Sequence, residues 1–158
     1  LSAPLEGDFS EFSDRVARAE NILYILDNAG EIVFDKLAIE QLGAERVVAA
    51  VRGSPVLNDV TWIDAIAVGL TGMVQVVDNG SDAPGTIMHQ TSDSFRRAFE
   101  EADVVIAKGQ GNYETLSDVR KDMFFVLKAK CPVIARDIGV EVGSLVLRHQ
   151  EHCPVEYV

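Results

Sequence analysis

Four short apolar runs, over 22–26, 47–51, 74–77 and 104–107, each give way to side chains that bind metals or anions. Asp27 and Asn28 follow the first, Arg52 the second, Asp78 and Asn79 the third and Lys108 the fourth, each with glycine or proline close behind. Such runs predict strands buried on both faces, over 21–26, 46–51, 73–77 and 104–107. Between them the apolar spacing becomes helical. It predicts helices over 9–20 behind Asp8 as a cap, over 31–42 up to Gly43, over 58–68 up to Gly69, and over 92–101 with Phe95, Ala98 and Phe99 on one face. Strands are also predicted over 123–127 and 144–147, and Pro132 opens a short helix that Gly139 ends.

This alternation predicts an α/β fold: one domain over 1–158, a doubly wound, mostly parallel sheet of about six strands with helices on both faces. Trp62, Phe124 and Phe125 are expected in its core. In such a sheet the ligand sits beyond the carboxyl ends of the strands, so Asp27, Arg52, Asn79 and Lys108 are expected on one edge, around one crevice.

Composition narrows the partners. With 25 acidic residues against 14 basic ones the formal charge is −11, which repels phosphate backbones and suits divalent cations. No apolar run approaches the roughly 18 residues of a membrane span, and the start lacks the features of a signal peptide. A soluble, cytoplasmic protein with neither nucleic acid nor a membrane as partner is expected. Cys131 and Cys153 match no zinc spacing and read as reduced, structural thiols. His149, His152 and Cys153 lack a fourth zinc partner and read as surface residues of a polar tail.

The candidate chemistry lies at the strand ends. Asp27 and Asn28 offer hard oxygen donors for Mg²⁺ or Mn²⁺, although an acidic turn at a helix start explains them equally well. Asn58-Asp59 reads as a helix cap, and Asp59 is also a candidate third ligand because it follows the neighbouring strand. Residues 80–85 form either a Pro-Gly turn or a substrate loop whose backbone approaches closely. Lys108 is either a solvated strand end or, with Gly109 and Gly111 behind it, part of an anion-binding loop near Asn112 and Glu114. No GxSxG elbow, Walker loop, GxGxxG or HExxH is present.

As a set, LDNAGE at 26–31, RGSPVLND at 52–59, NGSDAPGT at 79–86 and AKGQGNYETL at 107–116 resemble the domain-of-unknown-function 89 family of metal-dependent damage-control phosphatases, and the similarity continues through 128–146. The resemblance implies a Mn, Mg, Co or Ni ion held by Asp27, Asn28 and Asp59, with Asp27, Asp59 and Lys108 as the catalytic set and Lys108 meeting the substrate phosphate. It implies substrate contacts for Arg52, Ser81, Asp82, Asn112 and Glu114. Similar members carry a long, mainly helical region ahead of the DN pair, whereas 26 residues precede Asp27 here. That region is therefore expected to be largely absent from this chain, and a separate N-terminal helical segment is the partner the resemblance implies.

The expected function is hydrolysis of a small phosphorylated metabolite, such as a sugar phosphate or a damaged phosphometabolite, by metal-activated attack on the phosphoryl group. Two other readings are a carboxyl methyltransferase using S-adenosylmethionine, which one annotated branch of the family suggests, and a noncatalytic phosphometabolite-binding module.

Overall fold

The computed structural model describes residues 5–151. The elements follow in the order β1 (Leu5–Glu6), α1 (Phe9–Arg18), β2 (Ile22–Ile25), α2 (Ile32–Leu42), β3 (Val47–Val51), α3 (Trp62–Ala67), β4 (Gln75–Asp78), α4 (Asp93–Glu101), β5 (Val104–Lys108), α5 (Gln110–Leu116), β6 (Met123–Lys128), α6 (Pro132–Ile138) and β7 (Leu145–Gln150). They form one seven-stranded sheet in the order β1-β7-β6-β5-β2-β3-β4, parallel throughout except where β7 runs against β6. The expected doubly wound α/β fold is therefore present, with the two-residue β1 as the strand that its brevity hid.

Side chains alternate along the central strands and so build two cores. Ile22, Tyr24 and Leu26 join Val16, Ile32, Ile39 and Ala65 of α1, α2 and α3 on one face. Leu23 and Ile25 join Phe95, Phe99, Tyr113, Leu116 and Ala135 of α4, α5 and α6 on the other. The winding reverses at the centre of the sheet, where β2 lies between β3 and β5. In register, Ile25 stands opposite Ala50 on one side and Ala107 on the other. Their carboxyl ends therefore open at one level, which makes this the switch point at which α/β folds bind ligands.

Several local expectations are corrected. Asp8 does cap α1, its carboxylate accepting from the Glu11 N–H at 2.9 Å, but the helix ends at Arg18 rather than 20. The third helix begins at Trp62 rather than 58, because the Asp64 carboxylate accepts from both the backbone N–H and the hydroxyl of Thr61 at 2.8 and 2.7 Å. Trp62 is 42% exposed on that helix, so it is not a core residue, whereas Phe124 and Phe125 are buried as expected. His149 is no surface residue. It belongs to β7, stacks on Phe124 with ring centroids 4.3 Å apart, and sits between Glu11 Oε1 at 2.7 Å and Asp122 Oδ1 at 2.9 Å. Cys131 is a free thiol, and His152 and Cys153 lie outside the described residues. Among the described residues no helix is long and apolar enough to cross a membrane.

Candidate metal and phosphate site

The chain leaves β2 through Asp27 and is met there by residues 56–61, which lie across the strand ends. Val60 N–H donates to Asp27 O at 2.8 Å, Ala29 N–H to Asn58 O at 2.8 Å, and Arg52 N–H to Val60 O at 2.9 Å. An antiparallel bridge pairs Asn28 with Asp59. This backbone pairing, rather than a helix cap, brings Asp59 to Asp27. The consequence is electrostatic: burial first, and then the like charge of Asp59, push the Asp27 carboxyl up to about 6, with Arg52 opposing.

Arg52 organises the floor of this crevice. It is 2% exposed; its Nε donates to Asp59 Oδ2 at 2.6 Å, Nη1 to Thr86 Oγ1 at 3.1 Å and Nη2 to Asn112 Oδ1 at 3.2 Å. Asn112, also buried, donates to the carbonyls of Lys108 at 2.7 Å and Leu26 at 3.3 Å, so the ends of β2, β3 and β5 are tied by one hydrogen-bonded set. Thr86 completes it through Asn112 Oδ1 at 2.9 Å. Thr86 closes the 79–86 motif, but the residue types there do not announce that role.

The glycine segment behind Lys108 is not an open loop. It opens α5, with Gly109 as its N-cap and Gly111 inside the helix. Glycine weakens a helix interior, and a Cβ on Gly111 would fall 3.3 Å from Gly85 N, a tight contact. A Cβ on Gly85 would fall 2.3 Å from Gly111 O, so the 80–86 loop and α5 meet backbone to backbone. At Gly109 a Cβ would fall 2.0 Å from Asp27 Oδ2, which shows that the carboxylate lies directly over that glycine.

The predicted site residues thus divide. Asp27, Arg52, Asn79 and Lys108 do share one edge of the sheet. The backbones of Asn28 and Asp59 pair, Arg52 holds Asp59 Oδ2 from the floor, and the Asp27 and Asp59 carboxylates lie near enough to repel each other. Arg52, Ser81 and Asn112 are buried with their side chains engaged inside the protein, Ser81 Oγ reaching Gln90 Oε1 at 3.3 Å. Asp82 and Glu114 are exposed, and Gln110 Nε2 donates to Glu114 Oε1 at 2.7 Å.

Lys108 is not a solvated strand end. Its ammonium lies 3.1 Å from Glu31 Oε2 and 2.8 Å from Oδ1 of the buried Asp35, which also accepts from the Tyr24 hydroxyl at 2.7 Å. Burial lowers the lysine pKa, but Asp35 and Glu31 more than offset it and hold it above its usual value. Asp35 was legible as an oddity, a carboxylate in register with Ile32 and Ile39 on the buried face of α2. Lys108→Met should strand that carboxylate and lower stability by roughly 2–3 kcal/mol, below the loss for a fully enclosed pair because the ammonium still touches water. Urea unfolding checks this, and Lys108→Met combined with Asp35→Asn should recover most of the loss.

A metal fits the upper part of the crevice by the chemistry of its donors. The Asp27 carboxylate and Asp59 Oδ1 accept no hydrogen bond from a side chain among the described residues, and Asn28 Oδ1 accepts one, from Asn58 Nδ2 at 2.8 Å. Two carboxylates and an amide oxygen suit a hard divalent cation that keeps several waters. No group of three or more His, Cys, Asp or Glu side chains able to hold a metal occurs among the described residues, so a donor set of three here would have to include the amide. Because native Asp27 binds its proton more tightly than an unfolded aspartate, the metal-free protein should lose stability as pH rises from about 4 through about 6. Melting temperature against pH tests this: Asp27→Asn should remove that component of the decline.

Comparison with known proteins agrees with this architecture. A damage-control phosphatase ARMT1-like domain profile matches residues 3–146. A damage-control phosphatase of Pyrococcus horikoshii is 45% identical over 144 residues, covering 88% of this chain and 50% of the relative. A damage-control phosphatase of Archaeoglobus fulgidus is 44% identical over 131 residues, covering 80% and 46%. The crystal structure of a domain-of-unknown-function 89 protein from P. horikoshii superposes with a TM-score of 0.86 at 44% identity, covering 91% of this chain and 52% of that one. The chain spans about half the length of the relatives it matches. It belongs to the damage-control phosphatase ARMT1-like family, known also as domain-of-unknown-function 89.

Proposed function

We propose that this chain carries the metal-binding part of a phosphatase that hydrolyses a small phosphorylated metabolite, of the sugar-phosphate or damaged-phosphometabolite class. The observation that carries the reading is the Asp27–Asp59 pair at the switch point, two neighbouring carboxylates whose repulsion a divalent cation relieves. The names of the two archaeal relatives support the reaction class.

Asp27, Asn28 and Asp59 would hold Mn²⁺, Mg²⁺, Co²⁺ or Ni²⁺, which supplies charge neutralisation at the phosphoryl group and an activated water. The protein residues do the positioning. Arg52 holds Asp59 Oδ2, leaving Oδ1 as the oxygen that would be offered to an ion, while Gly109 leaves the space that the Asp27 carboxylate occupies. Lys108 is anchored by buried Asp35 and can reach a phosphoryl oxygen by exchanging exposed Glu31 for it.

The test measures phosphate release from a panel of sugar phosphates and phosphorylated cofactors with each of the four metals. Metal-dependent release that Asp27→Ala and Asp59→Ala both abolish is expected. Metal binding without release from any substrate would replace the reading with a noncatalytic binding module, and labelled methyl transfer from S-adenosylmethionine would replace it with a methyltransferase.

A further inference from the structure

Leu57 combines two features that folding alone has reason to avoid. Its φ is +49°, and among the described residues it is the one residue other than glycine in the left-handed region. There the Cβ of most residues crowds a neighbouring carbonyl oxygen, whereas glycine or asparagine is accommodated. Its side chain is also 85% exposed, more than any other large hydrophobic residue among those described. An asparagine would hold the same backbone and place a polar group in water, so neither the turn nor the core calls for leucine here.

The strain sits where the candidate metal ligands are held. Asp59 N–H donates to Val56 O at 3.0 Å, closing a tight turn with Leu57 and Asn58 at its centre. Asn58 is clamped to the end of β2: its O accepts from Ala29 N–H at 2.8 Å and its Nδ2 donates to Asn28 Oδ1 at 2.8 Å. The bridge between Asn28 and Asp59 fixes the far side of the turn. Leu57 is therefore carried at the mouth of the crevice on a backbone that cannot relax without moving Asn58 and Asp59. Strained residues cluster at sites that bind ligands, where the surrounding structure holds them in place. Asp27, Asn28, Asp59 and Lys108 serve a cation and a phosphoryl group, which leaves the carbon skeleton of a phosphorylated metabolite to be met by other side chains.

We propose that Leu57 is the apolar contact of this site for the carbon skeleton of the substrate, presented beside the Asn28–Asp59 pair by the 56–59 turn, and so a residue that sets which phosphorylated metabolites bind. The proposal rests on the phosphatase reading for its substrate class, but it concerns binding and can be measured without turnover.

The experiment measures binding of phenylphosphonate and methylphosphonate to the manganese-loaded full-length protein by calorimetry. Neither has a phosphate ester to hydrolyse, and they differ in the apolar group that the phosphonate carries. The parent should bind phenylphosphonate the more tightly. In Leu57→Asn that preference should shrink by roughly 10-fold, the order expected for losing one leucine contact, while the affinities for methylphosphonate and Mn²⁺ hold. Leu57→Met should keep most of the preference. Val133→Asn should match the parent, because it removes an exposed apolar side chain from α6, in the layer opposite α2 and α3. Since asparagine accepts the left-handed backbone, Leu57→Asn should also raise the melting temperature by roughly 2–4 °C. A leucine kept for folding predicts the reverse, a lower melting temperature with the preference unchanged, and that result overturns the proposal. So does an equal loss for both phosphonates, or no binding of either by the parent at millimolar concentration. If the parent releases phosphate from substrates while Leu57→Asn keeps the full preference, the assignment of Leu57 fails and the phosphatase reading stands. If the preference depends on Leu57 and no substrate is hydrolysed, the reverse holds.

Discussion

Arg52→Met should lower the unfolding free energy by about 3–5 kcal/mol, the loss expected when one partner of a buried ion pair is removed. Arg52 and Asp59 are 2% and 10% exposed at the side chain, so neither is rescued by water. The substitution also leaves Asn112 Oδ1 and Thr86 Oγ1 without a guanidinium donor. Arg52→Lys should recover little of this, because a single ammonium cannot span three acceptors held by separate elements. Denaturant unfolding of the two variants beside the parent measures both effects. A loss under 1 kcal/mol for Arg52→Met would show that the set relaxes around the missing side chain.

The second large effect is expected at Gly109. Alanine there would place its Cβ 2.0 Å from Asp27 Oδ2, on a residue whose φ of +82° already disfavours any side chain. Relieving the collision means moving either the carboxylate or the start of α5. Gly109→Ala should therefore lower Mn²⁺ affinity by roughly 10- to 100-fold, the range found when the support of a metal ligand is disturbed. It should also lower stability by about 1–3 kcal/mol through the strained backbone. Calorimetric metal titration and thermal melting separate the two, and Asp27→Ala gives the limit in which the ligand is absent. Metal affinity equal to the parent in Gly109→Ala would mean that Asp27 is not a ligand in its present position.

Strand positions were legible because the central strands are buried on both faces and so read as continuous apolar runs, as from Ile22 to Ile25. The polar residues that end them shared an edge for the same reason: parallel strands carry their carboxyl ends to one side. Direction was not legible for β7, since an apolar run is the same read either way, and β1 is too short to leave a pattern. The start of α3 was misplaced because Asn58-Asp59 has the chemistry of a cap, while the backbone pairing of Asn28 with Asp59 that claims it is a contact between separate segments. α5 was hidden by glycines kept for close approach to Asp27 and to Gly85. At the site, the acidic pair was visible as residue types. The matching of Lys108 by Asp35, and of Arg52 by Asp59, depends on which side chains the folded sheet brings within reach.

The pairing of β2 with β5 also bears on how the site comes into being. Ile22 and Val104 stand side by side although roughly 80 residues separate them, so joining these strands closes a long loop and carries a correspondingly large entropic cost. Asp27 meets Gly109, and Arg52 meets Asn112, only after that closure. A nascent chain that had emerged only as far as β4 would already contain Asp27, Asn28, Arg52 and Asp59, yet Arg52 would lack its Asn112 partner and Asp27 the glycine beneath it. Metal-binding competence should therefore appear late in folding, together with the central strand pair, and not accumulate helix by helix.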